Sequence, residues 1–97
     1  MKFEEWISAK STEEAEEYRR RFKMAISNSI RRKILALLDE SEKSLDELKR
    51  ELKIDEKLLR FHLDVLEKAS CISVGDKISL TDEGRVLVEI VKKKTKF

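Results

Sequence analysis

A short cluster of residues in the middle of the chain has the chemistry to bind a polyanion. Lys57 and Arg60 carry donors that suit phosphate oxygens or the acceptor edge of guanine, and they lie three residues apart on a predicted helix. Leu58 and Phe61 share the outward, N-terminal side of that helix, where an aromatic ring can pack against a thymine methyl group or a sugar. Asp64 follows one turn later and would face phosphates unless it is paired or accepts from a cytosine amino group. These five residues are candidate contacts to duplex DNA.

Nothing in the sequence resembles an active site. His62 is the only histidine and Cys71 the only cysteine, and two glycines cannot build a phosphate-cradling loop. The apolar neighbour Ile72 favours a buried thiol at Cys71 rather than a reactive one. We therefore expect no enzymatic activity, no cofactor and no metal.

The composition is that of one folded, mainly helical domain of 97 residues. The chain is 43% charged and 40% hydrophobic, contains no proline, and has a net charge of only +2. Abundant Lys, Arg and Glu with no Gln is typical of proteins from hot environments. No segment has the pattern of a signal peptide or a membrane span, so the sequence predicts a cytoplasmic protein without membrane contact. A DNA-binding surface must arise from how the charges are sorted in space.

Capping residues and apolar spacing predict five helices and one hairpin. The predicted caps are Ser11, Asp55 and Thr81, and a break falls at 27–29. A short apolar patch around Trp6 precedes the first cap. The predicted elements are helices at 12–26, 30–40, 44–53 and 56–69, strands at 71–74 and 77–80 joined by a type II′ turn at Gly75 and Asp76, and a helix after Thr81.

This order of elements predicts a winged helix-turn-helix fold, of mainly α (α+β) class. Two helices joined by a tight turn, the second longer and followed by a hairpin, form the layout in which a recognition helix enters a major groove about 12 Å wide. The expected organisation is an N-terminal helical extension at 1–27, a winged core at 28–81 and a C-terminal helix at 82–97. Lys77, the only basic residue of the hairpin, is a candidate contact to a minor-groove phosphate.

Three separated blocks resemble ArsR-type winged-helix regulators. They are residues 26–38 (ISNSIRRKILALL), 59–69 (LRFHLDVLEKA), which resemble the recognition helix, and 81–85 (TDEGR). The chain departs from the family pattern in three places. The cysteine pair of the metal sensors is replaced by the sequence SLDEL at 44–48, the usual glycine after the recognition helix is Ser70, and Phe61 stands where a polar residue is expected.

The resemblance implies a homodimeric regulator that binds double-stranded DNA. It implies that Arg31 and Arg32 flank the DNA, although a charged helix face is equally often only solvated. It places His62 at the edge of the recognition helix, in a packing or hydrogen-bonding role. It also implies that helices outside the winged core form the dimer, through Trp6, Tyr18, Phe22, Leu87, Ile90 and Val91.

A protein-binding role is the alternative. On and just before the predicted recognition helix, four acidic residues (Asp55, Glu56, Asp64 and Glu67) outnumber three basic ones (Lys57, Arg60 and Lys68). A winged helix with this balance can serve as a subunit or adaptor without productive DNA contact.

Overall fold

A computed structural model describes residues 12–94, without the side chains of residues 12–15, 18 and 94. Within this part, the chain forms five helices and one antiparallel hairpin, which confirms the winged helix-turn-helix architecture. In chain order the elements are α1 (Thr12–Ile26), α2 (Ser29–Glu40), α3 (Leu45–Leu52), α4 (Glu56–Lys68), β1 (Ile72–Val74), β2 (Ile78–Leu80) and α5 (Asp82–Lys94). The predicted cap Ser11 and the apolar patch around Trp6 lie outside the described residues. None of the described helices is long and apolar enough to cross a membrane.

Side-chain caps set the beginnings of the three helices in the helix-turn-helix unit. Asn28 accepts from the backbone N–H groups of the first turn of α2, and the predicted cap Asp55 accepts from Leu58 N at 2.8 Å. Ser44 and Glu47 form a reciprocal capping box at α3, which the sequence analysis did not identify. Ser44 is therefore the cap of α3 rather than its first helical residue. Lys53, in the left-handed conformation with φ of 55°, ends the helix.

The predicted apolar stripes meet in one core. Ile34 and Leu35 of α2 and Leu59 and Leu66 of α4 are fully buried, and Leu63 is nearly so. Burial of these side chains fixes the rotation of α4, because a helix with one apolar stripe must turn that stripe inward. The opposite side of α4 is thereby presented to solvent.

The wing is a short hairpin that is anchored to the helical unit. Val74 pairs with Ile78, so the loop contains three residues, 75–77, and Gly75 has no positive φ. The predicted two-residue type II′ turn is therefore wrong, because Lys77 lies in the loop rather than in the ladder. Lys43, between α2 and α3, exchanges two backbone hydrogen bonds with Ile78, at 3.0 and 2.7 Å.

The beginning of α5 packs closely against the residues that lead into β1. The predicted cap Thr81 is confirmed, since its hydroxyl accepts from Gly84 N at 3.0 Å and donates to the Ser70 carbonyl. Gly84 lies so close to the wing that a Cβ atom there would be 2.0 Å from the Cys71 carbonyl oxygen. The thiol of Cys71 is buried as predicted, and burial raises its pKa to about 12.

Candidate nucleic-acid interface

The five predicted contacts on α4 all lie on its exposed side. Lys57, Arg60 and Asp64 are solvent-exposed, as are two large apolar side chains, Leu58 at 38% and Phe61 at 59%. Exposed apolar residues of this size are informative when they adjoin one another on a functional helix. Leu58 and Phe61 therefore form a small apolar patch, which we call the apolar centre of α4, and Lys57, Arg60 and Asp64 lie at its margins.

Ion pairs within α4 engage the charges at those margins. Arg60 Nε lies 2.9 Å from a carboxylate oxygen of Glu56, and Lys68 Nζ lies 3.0 Å from one of Asp64. The hydrogen bond from Arg60 lowers the pKa of Glu56. Because exposed pairs of this kind are worth little, a phosphate can displace Glu56 from Arg60. A carboxylate near phosphates must be paired or must accept from a cytosine amino group, and Asp64 meets the first condition through its pair with Lys68.

Three cations precede or begin α4: Arg50 in α3, Lys53 in the turn and Lys57 in the first turn of α4. Arg50, Lys53 and Lys57 are exposed, and within residues 12–94 none of them forms an ion pair. Lys49 is partly engaged, at 3.6 Å from Glu56. Arg50 and Lys53 are not among the contacts predicted from the sequence. Their place before a predicted recognition helix is the signal that identifies them, since the preceding helix crosses the DNA backbone in this motif.

Arg31 is predicted to flank DNA, but the structure places its guanidinium inside the protein. Arg31 is only 8% exposed. It donates to the Met24 carbonyl at 3.1 Å, to the Ser27 hydroxyl at 2.9 Å and to His62 Nδ1 at 3.1 Å. These acceptors hold the side chain between the end of α1 and the recognition helix, so Arg31 positions α4 rather than presenting charge to solvent.

His62 has the hydrogen-bonding role that the sequence analysis predicted. Its ring is 4% exposed, and a guanidinium can only donate, so Nδ1 accepts and the proton of the neutral ring is on Nε2. Burial, followed by the charge of Arg31, lowers the pKa of His62. The ring also meets Phe61 edge to face, with centroids 5.1 Å apart. His62 therefore connects the buried network to the exposed apolar centre.

Arg32 is also tied to α1. Its guanidinium donates to the Ile26 carbonyl at 2.6 Å, and the residue is half-buried. Cations near the last carbonyls of a helix satisfy orphan acceptors and complement the helix dipole. Both arginines thus fasten the end of α1 onto α2.

A cleft of about 470 Å³ separates α4 from the wing. Its walls include Leu63, Val74 and Ile78, and its polar lining is one arginine, Arg60, with three carboxylates, Asp64, Glu67 and Asp76. A cleft with this charge repels phosphate. Lys77 lies on the same hairpin, exposed and 3.9 Å from Glu47, so one cation stands on the wing beside this acidic cleft.

The residues predicted for a dimer interface are placed in different surroundings. Trp6 and the side chain of Tyr18 lie outside the description. Leu87 and Val91 are 1% and 7% exposed and belong to the core of the subunit itself, because α5 packs that seam against α2 and β2. Phe22 and Ile90 are half-buried. The seam that the sequence assigned to a partner is therefore turned inward.

No group of His, Cys, Asp and Glu side chains among the described residues is arranged to hold a metal ion. The stretch SLDEL, where metal sensors carry cysteines, instead provides the capping box of α3.

This geometry defines the class of protein, a winged helix-turn-helix unit. One side of its recognition helix is packed into the core, and the opposite side is exposed to solvent. The family model described as "Bacterial regulatory protein, arsR family" matches residues 28–73, from the cap of α2 into β1. An uncharacterized protein of Archaeoglobus fulgidus is 33% identical over 84 residues, which cover 86% of this chain and 95% of the relative. The chain belongs to the arsR family. The activity of this family is DNA-binding transcription regulation, and it is not an enzyme family.

Proposed function

We propose that the protein binds duplex DNA as a homodimer and inserts α4 into the major groove at each half-site. The observation that carries the proposal is the exposed side of α4, where Lys57, Leu58, Arg60 and Phe61 point to solvent on a helix whose other side is locked into the core. A single α-helix fits the major groove, and its outward side chains then meet the base edges.

Phosphate contacts come from the residues around the N-terminal end of α4. Arg50, Lys53 and Lys57 supply the positive charge, and the partial positive charge of the helix N-terminus adds to it. Arg60 joins them by exchanging Glu56 for a phosphate or a guanine. Lys77 touches a minor-groove phosphate from the wing, and Arg32 uses its remaining donors on a flanking phosphate.

Asp64 takes part as an acceptor for a cytosine amino group, which suits a carboxylate in the major groove. Arg31 has no contact to DNA in this arrangement, because its three hydrogen bonds are internal. It sets the position of α4 through His62.

The homodimer rests on α1 and the segment before it. Two-fold symmetry sets two recognition helices about 34 Å apart, one turn of DNA. The contacts involve Trp6, Tyr18 and the accessible parts of Phe22 and Ile90, whereas Leu87 and Val91 support the interface from within. Sedimentation equilibrium is expected to give twice the monomer mass, and a monomer at micromolar concentration would contradict the dimer.

Binding to random duplex DNA over a range of salt concentrations tests the DNA contact. Affinity is expected to fall steeply with salt, because each phosphate contact releases condensed counterions. Replacing Lys53 and Lys57 with glutamine lowers the salt slope by about two, roughly one for each contact. The double variant Arg19→Gln/Lys23→Gln removes the same charge from α1, and its slope is expected to be unchanged when sedimentation equilibrium shows that the variant keeps the oligomeric state of the unmodified protein.

A second candidate, a protein-binding module, is favoured by one observation. The cleft beside α4 contains Asp64, Glu67 and Asp76 against a single arginine, which suits a basic partner surface better than a phosphate chain. The two candidates differ in one outcome: the protein-binding module shows no affinity for duplex DNA even at low salt.

A further inference from the structure

The apolar centre of α4 consists of Leu58 and Phe61. The two residues are three positions apart, so they are neighbours on the same side of the helix. They are the exposed large hydrophobic residues of α4, whereas Leu59, Leu63 and Leu66 are buried on the other side. A ring that is 59% exposed at the middle of a recognition helix is placed to meet another molecule.

The hydrogen-bonding groups beside this centre are directed elsewhere. Arg60 is drawn along the helix to Glu56 at 2.9 Å, and Asp64 is drawn to Lys68 at 3.0 Å. The ring of Phe61 therefore meets a groove without a hydrogen-bonding group of its own, whereas Lys57 and Arg60 supply donors at other positions of the helix.

The orientation of Phe61 is supported from inside the protein. Its ring meets His62 edge to face, with an angle of 67° between the ring planes, and His62 is in turn held by Arg31. Because His62 is buried and bonded to Arg31, this contact favours one orientation of the exposed ring.

The charges around the apolar centre favour nucleic acid as the molecule that covers it. Lys53 and Lys57 lie in the turn before α4 and in its first turn, on the N-terminal side of this centre, and form no ion pair within residues 12–94; they suit the phosphates that border a groove. In the major groove, thymine is distinguished from the other three bases by a methyl group, which apolar side chains contact.

We propose that Leu58 and Phe61 read the C5-methyl groups of thymine, and that the preferred DNA sites carry thymine beneath the middle of α4. This inference rests on the proposed DNA binding. It adds that specificity at these positions comes from apolar contact with a methyl group rather than from hydrogen bonds.

The test begins with selection of preferred duplexes from a random pool. The selected duplex is then synthesised with deoxyuridine in place of thymidine, which removes the methyl group and leaves the base-pairing edge unchanged. We expect the affinity to fall about fourfold for each methyl group that is buried, from the free energy of burying one carbon group. In a second duplex, C·G pairs replace the T·A pairs at the same positions. Replacing its cytosines with 5-methylcytosine adds the methyl group back, and this is expected to recover part of the lost affinity.

Protein variants assign the effect to the proposed residues. The double variant Leu58→Ala/Phe61→Ala is expected to bind the thymidine and deoxyuridine duplexes with nearly equal affinity, because both contacts that distinguish them are gone, and each single variant is expected to lose part of the difference. The control is Met24→Ala, which removes a side chain of similar exposure, 52%, from α1 and is expected to retain the full difference.

The possible outcomes separate this inference from the function on which it rests. Selected sites without recurrent thymine, or equal affinity of the unmodified protein for the two duplexes, would overturn the methyl contact and leave DNA binding intact. A difference that persists in full in the double variant Leu58→Ala/Phe61→Ala overturns the assignment to these residues. Failure of every duplex to bind at low salt overturns the proposed function and this inference together.

Discussion

Replacing Arg31 with methionine tests whether the buried network holds the recognition helix. The guanidinium joins three elements: it donates to the Met24 carbonyl at 3.1 Å, to the Ser27 hydroxyl at 2.9 Å and to His62 Nδ1 at 3.1 Å. Methionine retains a long apolar stem and removes every donor. The substitution therefore isolates the hydrogen bonds from the packing of the stem.

The structure indicates which of the three acceptors keeps another donor when the guanidinium is removed. The Met24 carbonyl keeps a second donor, the Ser27 hydroxyl at 3.0 Å, and Ser27 itself is exposed to water. His62 Nδ1 is buried and is left without a donor, which costs about 1–3 kcal/mol. We expect the free energy of unfolding to fall by about 2 kcal/mol, which lowers the Tm of a chain of this size by roughly 10 °C.

A double-mutant cycle with His62→Leu measures the contact directly. Chemical denaturation gives the free energy of unfolding of each variant. Once the acceptor has been removed, Arg31→Met is expected to cost at least about 1 kcal/mol less than it does in the unmodified protein. Arg32→Met is the control, because its bond to the Ile26 carbonyl does not involve His62, and its cost should add to that of His62→Leu.

The reasoning fails if the costs of Arg31→Met and His62→Leu add to within about 0.5 kcal/mol. Additivity would mean that the 3.1 Å contact carries no energy of its own. In that case the orientation of α4 would depend on its leucine stripe alone, and DNA affinity should be unchanged in a variant that remains folded.

Three other predictions concern stability. The pKa of His62 is lowered in the folded protein, so the unfolded chain binds this proton more readily. The free energy of unfolding is therefore expected to fall as the pH drops below about 6.5. His62→Asn cannot titrate at this position, and denaturation at several pH values should show a shallower fall for this variant. Gly84→Ala is expected to cost about 3 kcal/mol because its methyl group meets the Cys71 carbonyl. Its control, Gly75→Ala, meets no atom closer than 3.9 Å, has no positive φ and should be nearly neutral by thermal denaturation. Ser70 has φ of 64°, so Ser70→Gly should stabilise the protein by about 0.5–1 kcal/mol, and a lower Tm would contradict this.

The helices of the winged core could be predicted because their signals are local. Asn28, Asp55 and Thr81 cap the helices that follow the predicted breaks, and the stripe of Leu59, Leu63 and Leu66 is buried as its spacing indicates. Caps and periodic stripes act over one or two turns, so they are visible in the order of residues. The wing was predicted less accurately, since its loop length depends on which residues pair across the hairpin.

The exposure of the charged and aromatic residues of α4 was predicted from the sequence, but the ion pairs among its charges were not. Lys57, Arg60, Phe61 and Asp64 stand on the exposed side as the pattern indicates. The ion pair between Arg60 and Glu56 depends on rotamers, which residue types alone do not specify. The number of cations on α4 without an ion-pair partner is therefore a property of the folded protein.

The sequence by itself determined that this chain forms a winged helix-turn-helix with an exposed helix carrying Lys57, Arg60 and Phe61, because periodicity and capping act locally. Only the tertiary structure decided the role of Arg31 and the direction of the seam at Leu87 and Val91. In sequence, Arg31 is indistinguishable from the cations that follow it. It becomes a positioning residue because the end of α1 and the ring of His62, far apart along the chain, bring their acceptors to its guanidinium.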